Sequence, residues 1–94
     1  MLSSKQRAQL RGFANDLPTI LQVGKGGVTD TVYRQADEAL TARELIKLRV
    51  LENAPVTARE AAEEIAARVS ADVVQVIGTR AVLFRANKES SFAI

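Results

Sequence analysis

The pattern of apolar and polar positions divides the chain into three predicted helices and four predicted strands. The first helix, which Ser3 or Ser4 can cap, runs to about Ala14 and separates an apolar side from a basic one. Pro18 pushes the residue before it into extended geometry, so the helix ends ahead of it. A short strand over residues 19–23 follows.

Two further helices each begin at a threonine that can accept a hydrogen bond from the first turn. Thr29 caps the second helix, and Asp30 follows in the first turn, where the helix dipole favours negative charge. Apolar residues of this helix recur at the three- and four-residue spacing of a buried stripe. A capping box from Thr57 to Glu60 opens the third helix, which runs to about Val69.

Strict alternation marks the second strand, residues 45–51, where Lys47 and Arg49 share one face and apolar residues share the other. This alternation predicts one buried face and one face at least partly open to water. The third and fourth strands, residues 73–77 and 81–85, are separated by a tight hairpin.

The order of the elements is helix, strand, helix, strand, helix, strand, strand, which is typical of an α/β fold. Strands separated by helices favour parallel pairing, and the final hairpin adds an antiparallel member. We therefore expect a single domain with a mixed four-stranded sheet packed with three helices, for which 94 residues are enough. The domain is expected over residues 1–88, followed by a flexible tail over 89–94.

Composition narrows the classes of function. The chain is 47% hydrophobic and 26% charged, as in an ordinary globular protein. It has no Cys and no His, so thiolate sites are excluded and the commonest general base and metal ligand are missing. We therefore predict no catalysis, no metal, no cofactor and no small-molecule substrate. No apolar run reaches the length of a membrane span and no signal-peptide core is present, which predicts a cytoplasmic protein without a membrane partner.

The distribution of charge is more informative than the net charge of +2. Residues 1–29 carry a net charge of +3 and residues 73–94 a net charge of +2, whereas residues 30–72 carry −3. If the fold brings the two basic ends together, the protein has a positive face that attracts phosphates. The alternative is a set of scattered surface arginines.

The segment Gly24-Lys25-Gly26-Gly27 lies between the first strand and the second helix. Glycines let a backbone approach an anion closely, and a helix N-terminus presents N–H groups and partial positive charge. Lys25 adds a full positive charge to the segment. This arrangement is suited to holding a phosphate group.

Three interpretations of the glycine segment stay open on local sequence alone. A nucleotide-enzyme loop fits poorly, because the Walker A pattern is absent and the third glycine of the dinucleotide fingerprint falls on Thr29. A Gly-x-x-Gly clamp of the kind that KH domains use to grip nucleic-acid backbone matches Gly24 to Gly27. The third interpretation is a tight turn that binds nothing.

Other basic side chains are candidate contacts for the phosphates of a nucleic acid. Lys5, Arg7 and Arg11 lie on the first helix and are predicted to face solvent, and Arg80 lies beside the hairpin. For each of them, and for the outward basic pair of the second strand, the alternative is a solvated surface charge.

Aromatic residues do not indicate base reading. Phe13, Tyr33 and Phe84 fit core positions, which leaves no platform of exposed rings for stacking bases. We therefore expect recognition to depend on phosphate and shape, with modest sequence preference.

Four separated motifs, spread from Leu2 to Lys88, carry a family resemblance. They are Lys5-Gln6-Arg7 with Leu10-Arg11-Gly12, the segment from Gln22 to Thr29, the segment from Arg43 to Leu48, and Val74 to Gly78 leading to Val82 to Arg85. In this combination and order the chain resembles the CRM (chloroplast RNA splicing and ribosome maturation) domain, in its stand-alone bacterial form, the YhbY family. The resemblance implies an RNA-binding protein associated with precursors of the large ribosomal subunit. It also implies a fold similar to the C-terminal domain of bacterial translation initiation factor three.

These observations together predict a binding module that clamps RNA backbone, with ribosomal RNA as its partner during large-subunit assembly. The predicted RNA-binding residues are Gly24, Lys25, Gly26, Gly27, Lys5, Arg7, Arg11 and Arg80. The alternative is a protein-interaction module of a ribosome-associated assembly, in which the glycine segment is purely structural and a helix or strand edge docks to a protein.

Overall fold

The computed structural model describes residues 2–87 and contains the predicted elements in the predicted order. They are α1 (Ser4–Ala14), β1 (Thr19–Val23), α2 (Asp30–Arg43), β2 (Leu45–Val50), α3 (Ala58–Val69), β3 (Asp72–Ile77) and β4 (Arg80–Phe84). Strand limits differ from the predicted ones by one residue at most. The predicted domain limit at residue 88 and the predicted tail over 89–94 lie outside the described residues.

Reciprocal hydrogen bonds start two of the helices. The cap of α1 is Ser3, whose side chain accepts from the N–H of Gln6 while the Gln6 side chain accepts from the N–H of Ser3. Thr57 and Glu60 form the same pair at α3, as predicted. Each pair satisfies N–H groups that a helix start would otherwise leave without partners.

The sheet is mixed, as predicted, and its strand order is β1-β2-β4-β3. β1 and β2 are parallel, because α2 carries the chain back between them. β4 is antiparallel to both β2 and β3 and lies between them. The carboxyl ends of β1 and β2 therefore lie at the same end of the sheet as the β3–β4 hairpin.

α2 and α3 pack on one face of the sheet. The alternation predicted for β2 is confirmed there, because Ile46, Leu48 and Val50 are at most 4% exposed while Lys47 is half-buried and Arg49 exposed. The helix residues in this core are Val32, Ala36, Leu40, Ala58, Ala61, Ala62, Ile65 and Ala66. Alanines on α3 let the helix approach the sheet closely, and we call this side of the sheet the sealed face.

α1 packs on the opposite face and covers only part of it. Leu10 and Ala14 are buried against a group of sheet residues. Those residues are Leu45, Val74, Val82 and Phe84. Directly paired residues of antiparallel strands point to the same side, which places further side chains on this face beyond the helix. We call this uncovered part the open face; it consists of Lys47, Arg49, Gln75, Ile77 and Arg80.

The predicted core position of Phe13 was wrong, because its side chain is 52% exposed. Leu10 and Ala14, four residues apart, form the row of α1 that faces the sheet, and Phe13 lies outside that row. Phe84 is buried as predicted, and Tyr33 is half-buried.

Candidate nucleic-acid interface

The glycine segment forms a tight turn between β1 and α2. The N–H of Gly27 donates to the carbonyl of Gly24 across 2.9 Å. Gly27 has a φ of +73°, and a Cβ placed on it would lie 3.1 Å from Cγ of Pro55. Because a side chain is disfavoured at such a φ and crowded by Pro55, Gly27 is needed for the shape of the turn.

Gly24 and Gly26 are under a different constraint. A Cβ on Gly24 would meet Leu51 at 3.6 Å, and one on Gly26 would meet Thr29 at 3.6 Å, both ordinary van der Waals distances. Neither glycine has a positive φ. The fold therefore tolerates a methyl group at both positions. Because the two glycines have no side chain, the backbone at these positions is open to a ligand.

Backbone N–H groups that donate to no described residue are concentrated at this turn. Of the N–H groups from residue 25 to residue 31, only that of Gly27 donates to another residue within the described part of the chain. The side chain of Thr29 caps the helix by accepting from the N–H of Val32 at 3.3 Å, as predicted. The open N–H groups, the positive end of the α2 dipole and the exposed Lys25 together form a site suited to anions.

One carboxylate lies at the start of α2, where it could oppose an anion. Oδ1 of Asp30 lies 3.7 Å from Nη2 of Arg68, whose guanidinium also lies 4.5 Å from the centroid of the Tyr33 ring. Because both charged side chains are well exposed, the pair adds little stability. The pair does hold the carboxylate of Asp30 towards α3, and the positive charge of Arg68 offsets its negative charge.

The open face lies directly beside the glycine turn. Gln22, two residues before the turn, is paired with Arg49, which is in turn paired with Arg80. Neighbouring strands are about 5 Å apart, so the two arginines stand within about 10 Å of β1. The N–H of Leu51 donates to the carbonyl of Val23 at 2.8 Å, which ties the end of β2 to the start of the turn. The turn, Arg49 and Arg80 therefore share one corner of the molecule, and Lys47 lies further from the turn, opposite Thr19.

One of the three basic residues predicted as contacts on α1, Arg11, lies towards the open face. Arg7, Arg11 and Asn15 are four residues apart and so form one row of the helix surface and its C-terminal extension. Arg7 is next to β3, and Asn15 borders a pocket on the open face. Arg11, exposed and between them, lies on the same side of α1 as the open face.

The prediction that Arg7 faces solvent was wrong. Its Nε donates to the carbonyl of Val73 at 3.2 Å, and the residue is half-buried. The register of β3 shifts between Val73 and Gln75, and such a bulge takes a backbone group out of the ladder, which Arg7 then satisfies. Lys5 is exposed, on the side of α1 that carries the exposed Ala8 and so faces away from the sheet. The structure therefore does not bring Lys5 to the glycine turn.

Arg85 has a structural role. Its guanidinium donates to the carboxylate of Asp37 at 2.7 Å, to the carbonyl of Val69 at 2.8 Å and to the side chain of Thr41 at 2.9 Å. These bonds tie the end of β4 to α2 and α3. Within residues 2–87, the ion pairs of the structure involve Arg68 and Arg85, and none involves a basic residue of the open face.

The sequence alone does not distinguish Lys47 and Arg49 from solvated surface charges. Their alternation on β2 was the available signal, but only the limited reach of α1 shows that they stay uncovered beside the turn. Within residues 2–87, no cluster of acidic side chains is arranged to hold a metal ion. No helix in the same range has the length and apolar character to cross a membrane.

A small α/β domain with a turn suited to anions near a basic, half-covered sheet has a surface that suits a nucleic-acid backbone. The chain matches the CRS1/YhbY (CRM) domain over residues 2–85 and belongs to that family.

Proteins similar in sequence or structure match this chain over nearly its whole length. The chain is 44% identical over 90 residues to the probable RNA-binding protein YqeI of Bacillus subtilis, covering 96% of this chain and 94% of that protein. It is 32% identical over 93 residues to an RNA-binding protein of Haemophilus influenzae, covering 99% and 94%. The solution structure of the hypothetical protein SAV1595 from Staphylococcus aureus is similar with a TM-score of 0.81 at 40% identity, covering 95% and 93%.

Proposed function

We propose that this protein binds RNA, without catalysis, by holding the backbone of the RNA at the corner that the glycine turn and the open face share. The observation that carries the proposal is the concentration of open N–H groups from residue 25 to residue 31 at the end of the sheet where Arg49 and Arg80 lie, with Lys47 two residues earlier on the same face of β2. The family and the names of the relatives in Bacillus subtilis and Haemophilus influenzae support RNA as the ligand.

The mechanism combines hydrogen bonding and charge neutralisation. Backbone N–H groups and Lys25 hold one or two phosphates at the turn, and the arginines of the open face hold those that follow. Neutralising about three to five phosphates gives a log–log salt dependence with a slope of roughly −0.7 to −0.9 per phosphate.

Lys25→Ala tests the mechanism at the charged side chain within the glycine turn. Removing this cation should flatten the salt slope by a little under one unit, because one phosphate contact is lost. Fluorescence anisotropy with a labelled single-stranded RNA at a series of salt concentrations measures the slope. Lys5→Ala is the matched control, since Lys5 is equally exposed but lies on the outer side of α1. Equal slopes for the Lys25 variant and the unaltered protein would remove Lys25 from the mechanism.

The finer proposal is that the RNA is ribosomal RNA in cytoplasmic precursors of the large subunit. It rests on the resemblance carried by the four sequence motifs. Crosslinking the protein to RNA in cells and sequencing the recovered RNA tests it. Enrichment of large-subunit ribosomal RNA is the expected result, and enrichment of unrelated transcripts alone would reject this partner.

A protein-interaction module is the second candidate, and the edge of the sheet favours it. β1 is an edge strand, and a groove of about 490 Å³ lies between its residues and α2. Edge strands can pair with a strand of a partner protein. If the purified protein shows no salt-sensitive RNA affinity and instead co-purifies with one protein partner, the second candidate replaces the first.

A further inference from the structure

A pocket lies on the open face, between the C-terminal end of α1 and the hairpin strands. Its volume is about 160 Å³. It is lined by Ala14, Asn15, Lys47, Gln75, Ile77, Arg80, Ala81 and Val82. The proposed clamp uses only the charges of Lys47 and Arg80, so the apolar wall and the two amide side chains of this pocket call for a separate explanation.

The polar side of the pocket is rich in hydrogen-bond donors. Within residues 2–87, Lys47 and Gln75 make no side-chain hydrogen bond, and no buried polar side-chain atom lacks a partner. The polar atoms of both side chains therefore reach solvent at the pocket. Lys47 and Arg80 can only donate, whereas the amides of Asn15 and Gln75 both donate and accept.

The apolar side of the pocket fits the face of a flat ring. Val82 is 4% exposed and supplies an apolar wall, and Ile77, 63% exposed, stands at the rim. A cavity of about 150 Å³ in a protein interior accommodates benzene, so a volume of this size suits a single six-membered ring. Apolar walls with a few directed polar groups are the usual composition of a small-molecule site.

We propose that this pocket binds one unpaired pyrimidine base of the RNA strand and prefers uracil. This inference rests on the proposed function, because the base reaches the pocket on a strand whose phosphates are held at the glycine turn and by Arg49. Both exocyclic groups of uracil are carbonyls that accept from Lys47 and Arg80. Cytosine presents an amino group in place of one carbonyl, and a donor facing two cations is disfavoured. The amide oxygen of Gln75 accepts from the N3–H of uracil, which the unprotonated N3 of cytosine lacks, so Gln75 contributes to the choice of base. The RNA recognised at this face is therefore single-stranded.

The test compares two labelled oligonucleotides, hexauridylate and hexacytidylate, by fluorescence anisotropy. We expect the unaltered protein to bind hexauridylate about tenfold more tightly, the usual effect of one good set of base-edge hydrogen bonds. Gln75→Leu keeps the size and charge of the lining and removes the amide, so the preference should fall to about threefold or less. Gln35→Leu, on the exposed side of α2, is the matched control and should keep the full preference.

The outcomes separate the pocket from the clamp. Equal affinity for the two oligonucleotides, or an unchanged preference in Gln75→Leu, overturns the proposal that the pocket binds a base. The proposed backbone clamp is still supported in that case if Lys25→Ala flattens the salt slope. No measurable binding of either oligonucleotide, at low salt, contradicts both proposals. Circular dichroism of each variant confirms that a loss of preference does not come from unfolding.

Discussion

The two faces of the sheet differ in how completely the helices cover them, although the same strands form both faces. On the sealed face, Ala81 and Leu83 of β4 are at most 1% exposed beneath α3 and its neighbours. On the opposite side of the same strand, Val82 and Phe84 are covered by α1, whereas Arg80 is exposed beyond the end of the helix. One strand therefore contributes to a sealed core, a second small core and an open basic surface.

The difference shows how stability and binding are divided within 94 residues. α2 and α3 bury the apolar face, which supplies most of the hydrophobic stabilisation. α1, with 11 residues, is too short to cover the other face, and the strand ends that it leaves free are those next to the glycine turn. Stability should therefore depend on the sealed face, and RNA affinity on the open one.

Adjacent residues of β2 give the largest contrast between the two faces. Leu48 is fully buried in the sealed face, so Leu48→Ala should lower the free energy of unfolding by about 2–5 kcal/mol through lost burial and a cavity. Lys47→Ala, one residue earlier, should cost less than about 1 kcal/mol but weaken RNA binding. Urea denaturation and RNA titration of both variants measure the contrast. Similar losses of stability in the two variants would contradict it.

Removing the charges of the open face should have the next largest effect. In a triple variant with Gln at Lys47, Arg49 and Arg80, the loss of three positive charges beside the RNA strand should flatten the salt slope by about 2 and weaken binding roughly 100-fold at about 0.1 M salt. The matched control is a triple variant with Gln at exposed basic residues elsewhere. Those residues are Lys5, Arg34 and Arg43. Comparable losses in the two triple variants would show that net charge, and not the open face, controls affinity.

Substitutions of Gly27 and Gly26 should have different effects. Gly27 is needed for the shape of the turn, and Gly26 keeps the N–H groups of the turn accessible. Gly27→Ala should lower the free energy of unfolding by about 1–3 kcal/mol, because of the positive φ and the approach of Pro55. Gly26→Ala should change stability by less than about 0.5 kcal/mol, since its new methyl group meets Thr29 at an ordinary distance. Its RNA affinity should nevertheless fall, because the methyl group stands beside the open N–H groups. An unchanged RNA affinity in Gly26→Ala would argue that phosphate does not approach the turn there.

The smallest expected change in RNA affinity comes from removing the charge of Glu52. Glu52 follows Leu51, whose Cδ1 would lie 3.6 Å from a Cβ placed on Gly24, so it is adjacent in sequence to a residue that borders the turn. If phosphate is held at the turn, Glu52→Gln should raise RNA affinity about twofold at low salt, the size expected for removing one screened surface charge. Glu63→Gln, on the exposed surface of α3, should leave affinity unchanged. Isothermal titration of both variants checks the sign, and a fall in affinity for Glu52→Gln would be inconsistent with phosphate at the turn.

Much of the fold was predictable because its signals are local. Capping residues at Thr29 and Thr57 and the alternation of β2 act over a few residues, and all three predictions were confirmed. The exposed position of Phe13 was not predictable in the same way. It depends on which side of α1 meets the sheet, and Leu10 and Ala14 decide that through contacts with distant strands.

The candidate site was predictable only where its residues are adjacent in sequence. Gly24 to Gly27 form a turn before a capped helix, and the sequence indicates both features. Arg7 was misjudged because its acceptor, the carbonyl of Val73, is exposed by a register shift 66 residues away. The importance of Lys47 depends on where α1 stops on the sheet, which no local pattern encodes.

A titration of ¹⁵N-labelled protein with single-stranded RNA, followed through amide chemical shifts, tests the proposed binding at the glycine turn. The predicted result is that the largest shifts come from residues 24–31, 47–49 and 75–80, the corner formed by the glycine turn and the open face. Small shifts are expected along the exposed surfaces of α2 and α3. Largest shifts on those two helices, with residues 24–31 unchanged, would contradict the central claim that RNA backbone is held at the glycine turn.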